Sequence, residues 1–300
     1  MLKKAFLVGI NAYRDSPLRG CVNDVEAMKE LLTSLYGFEE DNIRLITDKE
    51  ATTKGIVEGL GWLAQGGDEK AVRVFHYAGH GHFAPDENED EPDGSDEAVV
   101  AYDYKSAGYL IDDKLKALYQ RFPANSNLTL IMDCCHSGTN NRGPEELDIY
   151  YRFIPNTYAE RKAIAAARRK FHEAQRQFVM SEVKGFAKTR GRDEEFEQRI
   201  EAAMKKFEKQ RFGEVRMREG NILLAACQSD QQAADAKISG AYRGAFTFYL
   251  VKFLREANGK ITYRDLIEKV GKALDAHKFA QVPQLECAAG RDRAQALAFF

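Results

Sequence analysis

"VRVFHYAGHGH", Val72 to His82, begins as a nearly unbroken apolar run and ends in alternating glycine and histidine. Such a run is the pattern of a strand buried on both faces of a parallel sheet, and the glycines terminate it. "LTLIMDCCHSG", Leu128 to Gly138, repeats the design with Asp133, Cys134, Cys135 and His136 at its end, and "KAFLVGI" (Lys4–Ile10) and "NIRLIT" (Asn42–Thr47) are two further runs. Between the runs lie "NDVEAMKELLTSLYG" (Asn23–Gly37), "TTKGIVEGLGWLAQ" (Thr52–Gln65) and "DDKLKALYQRF" (Asp112–Phe122), with apolar residues at helical spacing. Asn23, Thr52 and Thr53 are the candidate N-caps. Strand and helix in alternation predict an α/β fold, a mostly parallel sheet of about six strands flanked by helices. Chemistry in such sheets gathers at the C-terminal strand edge, where both quoted motifs fall.

The pattern breaks after residue 143. Tyr158 to Arg218 is Ala-rich and highly charged and reads as two helices parted near "KTRGR" (Lys188–Arg192), with Gly191 as stop and Asp193 as new cap. The αβ pattern resumes in "NILLAAC" (Asn221–Cys227), two helices from Gly244 and Thr262, and "VPQLEC" (Val282–Cys287). The expectation is one domain over 1–300: a large catalytic segment (1–143), a helical insertion (144–219) and a small C-terminal segment (220–300).

The 300 residues are 44% hydrophobic with a net charge of −2, enough for a sizeable core and too balanced to name a partner. Basic segments without interleaved aromatics argue against nucleic acid, and no stretch is long and apolar enough for a membrane span. Five cysteines, two of them adjacent, make a poor disulfide framework, so a reducing, cytoplasmic setting is expected. The opening "MLKKAFLVGINAY" reads as a first strand because its apolar run is short and lacks a small-residue cleavage site. The acidic tract Pro85–Glu97 reads as a solvated loop.

Zinc is the first chemistry to weigh, since His76 and His80 are four apart. That spacing puts two rings on one face in a helix, however, and His76 belongs to a strand. A thiolate attacking a carbonyl, with an imidazole to protonate the leaving amine, fits better. Glycines around His80 let a substrate approach closely, and amides near Gly81 and Cys135 suit an oxyanion. Cys135 follows His80 by 55 positions (135 − 80), a spacing found between a caspase histidine and its nucleophile.

"HYAGHGH" and "DCCHSG" resemble the metacaspase and orthocaspase signatures "HYSGHG" and "DSCHSG", and "GCVNDVEAMKELL", "DGSDEAVVAYD", "AACQSDQQAADA" and "GAFTFYL" extend the likeness over nearly the whole chain outside the insertion. The resemblance implies a caspase-like fold and a cysteine endopeptidase acting on protein substrates. It makes Cys135 the nucleophile and His80 the acid/base, not Cys134, His76 or His136. It makes Asp24 and Asp133 an acidic pocket for Arg or Lys, with Cys21 and Ala78 beside it. It implies a monomer that requires no cofactor. Calcium at Asp96, Asp112 and Asp113 is the family's metal site, but Arg142 stands near where a further acid is expected. Self-cleavage is expected in the insertion, at Lys188, Arg190 or Arg192. The competing expectation is a silent scaffold that binds partners through the helical hairpin.

Overall fold

The computed structural model describes all residues except 69, 89, 124–125, 136–147, 185–193, 213–220, 230 and 288–292. In chain order the elements are β1 (Lys3–Gly9), α1 (Cys21–Tyr36), β2 (Ile43–Thr47), α2 (Thr53–Ala64), β3 (Val72–Ala78), β4 (Gly81–Pro85) and β5 (Ser95–Val99). Then come α3 (Tyr104–Ala107), β6 (Leu110–Ile111), α4 (Asp112–Tyr119), β7 (Asn127–Asp133), β8 (Ile149–Tyr151), α5 (Tyr158–Glu182) and α6 (Glu194–Phe212). The chain finishes with β9 (Ile222–Ala225), β10 (Ala234–Ile238), β11 (Ala241–Gly244), α7 (Ala245–Glu256), α8 (Tyr263–Ala276) and β12 (Gln284–Cys287).

The central sheet has six strands in the order β12-β9-β7-β3-β1-β2. All pair in parallel except β12, which runs antiparallel to β9. Every residue of β3 is buried, as its continuous apolar run requires of a central strand. Phe6 of β1 stacks on Phe75 of β3 with ring centroids 5.6 Å apart. Helix α2 comes down onto Phe6 at Gly59, where a Cβ would collide with the ring, so close packing demands glycine there. Truncating Phe6 in this setting costs about 3–5 kcal/mol.

Thr52 caps α2 by accepting from Gly55 N at 3.0 Å. Helix α1 differs from expectation: it starts at Cys21 after Gly20 with no side-chain cap, and Asn23 instead donates to Tyr242 O at 2.8 Å. A small antiparallel sheet, β11-β10-β8, was not legible as strands. Its strand β8 lies inside the stretch read as insertion.

The chain forms two compact units, one of 1–82, 97–155 and 217–300, the other of 83–96 and 156–216. In the second, α5 opens with a full capping box, Thr157 with Glu160, and packs on α6 through Phe171, Phe178 and Phe207. Among the described residues no helix is long and apolar enough to cross a membrane.

Candidate active site

Strands β3 and β7 pair with Ala78 opposite Asp133, so the glycine-histidine turn and the Asp133-Cys134-Cys135 run leave the sheet side by side. His80 and Cys135 are both fully buried there. The His80 backbone is pinned by two tyrosines: its N–H donates to Tyr13 Oη at 3.0 Å, and its carbonyl accepts from Tyr77 Oη at 2.7 Å. The ring lies 4.5 Å from the Tyr13 ring. Its Nε2 meets Ser16 O at 2.7 Å, and because a carbonyl can only accept, Nε2 carries the proton and Nδ1 keeps its lone pair. Burial pushes the imidazole down to about 4, against the pull of the Ser16 carbonyl, so the ring is a neutral base at ordinary pH.

Asp24 and Asp133 face one another across a guanidinium supplied by the chain itself. Arg152 is fully buried; its Nη2 lies 2.5 Å from Asp24 Oδ2, and its Nη1 lies 3.0 Å from Asp133 Oδ2 and 3.2 Å from Asp133 O. Burial pulls Arg152 down, but the carboxylates outweigh it and hold the guanidinium well above its usual range. Burial raises Asp24 to about 7 even against that cation, with Asp133 adding to the rise. Asp24 also accepts Gly244 N at 2.9 Å, and a Cβ on Gly244 would strike Asp133 and Arg152. Asp133 Oδ2 is held by Thr247 at the start of α7, through Oγ1 at 2.6 Å and N at 3.2 Å. His76, pushed by burial to about 3, supports that hydroxyl from 3.3 Å.

The backbone around Arg152 follows the same cleft. Residues Ile149–Tyr151 pair antiparallel with β10, and Arg152 N donates to Ala233 O at 3.1 Å. Arg152 O accepts from Gly81 N at 2.9 Å and from Cys135 N at 3.2 Å. Two amides on one carbonyl oxygen, beside a thiol and a neutral imidazole, are the geometry of an oxyanion hole. Beyond it, Ile154 N donates to Gly81 O at 3.0 Å. The Cys135 sulfur accepts from Ala233 N, and the nearness of Cys135 together with burial raises the Cys227 thiol.

A family model described as metacaspase, peptidase C14 domain, matches residues 3–142. Metacaspase-1 of Scheffersomyces stipitis is 31% identical over 309 aligned residues, covering 97% of this chain and 72% of its own. The chain belongs to the metacaspase family. Metacaspase-1A of Aspergillus niger is 30% identical over 303 residues, covering 95% of this metacaspase and 70% of its own length. A crystal structure of a Geobacter sulfurreducens protein superposes with a TM-score of 0.66 at 25% identity, covering 99% and 97% of the two chains. This metacaspase therefore has a caspase-like fold and sits in a family of caspase-like cysteine peptidases.

Of the residues singled out in the sequence, the metacaspase fold gathers His80, Gly81, Cys135, Asp24, Asp133, Cys21 and Ala78 at one sheet edge. Cys21 opens α1 with its N–H on Asn11 Oδ1 at 2.9 Å; its buried thiol is raised, partly offset by Arg152. Cys134 is buried, and its carbonyl receives the Cys227 thiol at 3.6 Å. Asp24 does not cap α1; its carboxylate is committed to Gly244 and Arg152. His136, Arg142, Lys188, Arg190 and Arg192 lie outside the described residues.

The acids considered for calcium have other engagements. Asp112 and Asp113 share Lys116 at 2.7 and 3.5 Å, so an ammonium already balances them. Asp96 groups instead with Asp86 and Asp90, their oxygens within 4.8 Å of one another. These observations do not fit the Asp96, Asp112 and Asp113 set to a metal, and no chemistry is routed through one.

Sequence reasoning missed Arg152, Ser16, Thr247 and Asp235. Asp235 is buried and accepts Arg19 N and Gly20 N at 2.8 and 2.9 Å, fixing the turn that leads into Cys21. No local signal marks any of the four. Arg152 follows two tyrosines in a stretch that reads as linker, and Ser16 acts through its backbone.

Proposed function

We propose that this metacaspase is an endopeptidase that cuts proteins after Arg or Lys through a Cys135–His80 dyad, and that the Arg152–Phe153 bond is its own first substrate. Cys135 Sγ attacks the carbonyl carbon of the basic residue while its proton passes to His80 Nδ1. The carbonyl oxygen takes up negative charge against Gly81 N–H and Cys135 N–H. The tetrahedral adduct collapses as His80 returns the proton to the leaving nitrogen, giving an acyl-enzyme and a free amine. His80 Nδ1 then takes one proton from water, whose oxygen attacks the acyl carbon; the adduct expels the Cys135 sulfur, which regains its proton from His80, and the new carboxylic acid gives its remaining proton to solvent.

One observation carries the reading: Arg152 has its guanidinium between Asp24 and Asp133 and its carbonyl on both amides at once. Specificity follows, because two carboxylates attract a guanidinium or ammonium and repel an aspartate. The scheme itself calls on no group from a second subunit and on no metal ion, in keeping with a monomer that requires no cofactor. Lys188, Arg190 and Arg192 lie outside the described residues, and Arg152 is a further candidate for self-cleavage that the geometry supports.

The test is hydrolysis of matched peptides with Arg, Lys or Asp before the scissile bond, in chelator and in calcium, with Cys135→Ala as control. Cleavage after Arg and Lys in both buffers, absent from the variant, is expected. Cleavage after Asp alone, or undiminished cleavage by the variant, would overturn the assignment.

A further inference from the structure

The chain's own segment also runs past the scissile bond, and that half of the cleft has a chemistry of its own. After Arg152 the backbone follows the start of β4: Gly81 bridges Phe153 in parallel, and Gly81 exchanges bonds with both sides, its N–H to Arg152 O and its carbonyl from Ile154 N. His82 Nδ1 meets Ile154 O at 2.9 Å, and since that oxygen accepts, Nδ1 carries the proton. These contacts read backbone only and would hold any sequence.

Side-chain reading enters through Phe153, only 7% exposed. Its ring lies within 22° of parallel to the His82 ring at 6.5 Å. His82 in turn stacks on Tyr109 at 3.9 Å and 23°, and Tyr109 on Tyr104 at 5.7 Å and 22°. Four near-parallel rings in series make an apolar slot whose first position is filled by the residue just after the cut. His82 is fully buried, so its ring face is a fixed wall of that slot.

Resting on the proposed cleavage after Arg or Lys, we infer that His82, backed by Tyr109, forms the first subsite beyond the scissile bond and selects an aromatic or large apolar residue there. His82 has two separable roles: its ring face sets the side-chain preference, and its Nδ1–H holds the backbone one residue further on. It is a specificity-determining residue, not a participant in the bond exchange.

The test uses internally quenched peptides of sequence Tyr-Tyr-Arg-X-Ile-Pro with X as Phe, Leu, Gly or Asp. The expected kcat/KM on Phe exceeds that on Gly by about tenfold, as burial of one aromatic side chain implies, with Asp lowest. In His82→Asn, which keeps an N–H donor and loses the ring, the Phe-to-Gly ratio falls toward one while the Gly peptide is still cut. In His82→Phe, which keeps a ring and loses the donor, the ratio survives and all rates fall together. Equal rates on Phe and Gly in the unmodified chain, or an unchanged ratio in His82→Asn, overturns this inference and leaves cleavage after Arg standing. No cleavage of any Arg peptide overturns the parent reading instead.

Discussion

Replacing Asp24 by Asn removes one of the two carboxylates that grip the basic side chain and leaves its shape almost unchanged. The guanidinium of Arg152 touches Asp24 at 2.5 Å and keeps Asp133 at 3.0 and 3.2 Å, so the variant loses one short charge-assisted contact and retains the other. The Asn carbonyl can still accept Gly244 N–H, which keeps the end of β11 in place. A hydrogen bond to a charged group contributes about 1.5–3 kcal/mol, which predicts a loss of kcat/KM on Arg peptides of roughly 10- to 150-fold at 1.4 kcal/mol per decade. A matched peptide with Gln in place of Arg has no charge to lose and should change far less. The pH profile gives a second signature. Asp24 sits near 7 with a cation beside it, so kcat/KM on Arg peptides should rise with pH through about 7, and Asp24→Asn should abolish that limb. Steady-state kinetics on the Arg and Gln pair, with thermal melting as a check on folding, decides the matter. An equal drop on both peptides, or no drop on either, would refute the acidic pocket.

Two outcomes concern acid. With the Asp24 carboxylate removed in Asp24→Asn, the acid limb of the remaining self-cleavage should follow His80 at about 4; a limb that stays near 7 in that variant would contradict the assignment of His80 as the base. In uncut Cys135→Ala protein, His76 and His80 stay neutral down to about 3 and 4 while their unfolded counterparts protonate near 6.5, and Asp24 protonates at about 7 against 3.8 unfolded. Two protons favour the unfolded chain and one the folded, so urea unfolding should show stability falling by about 1.4 kcal/mol per pH unit between 6.5 and 4; stability that rises on acidification would refute this balance.

The sheet was legible because β1, β3 and β7 are buried on both faces and therefore read as unbroken apolar runs ending at the site. His80 and Cys135 were singled out by the resemblance of "HYAGHGH" and "DCCHSG" to the family signatures, since residue types at the strand ends alone left Cys134, His76 and His136 beside them. The small sheet was not, since "ADAKI" and "AYRG" are short and mixed in polarity, and β8 has three residues of intermediate burial. Arg152 was illegible for a deeper reason. An arginine is almost never fully buried unless paired, and its two partners stand 128 and 19 positions away, in α1 and β7. Only the fold brings Asp24 and Asp133 around it, so the sequence pointed to an acidic pocket for a substrate but not to the occupant carried by the same chain. The same holds for Asn23, which looks like a helix cap and is instead drawn to Tyr242 O.

The most direct measurement is the intact mass of the purified chain over time, with sequencing of any new N-terminus. The account predicts fragments 1–152 and 153–300, the second beginning at Phe153, from the unmodified chain, and an uncut chain from Cys135→Ala and from His80→Ala. A chain that stays whole under conditions where added Arg peptides are cut, or a new terminus that still forms in Cys135→Ala, would contradict it.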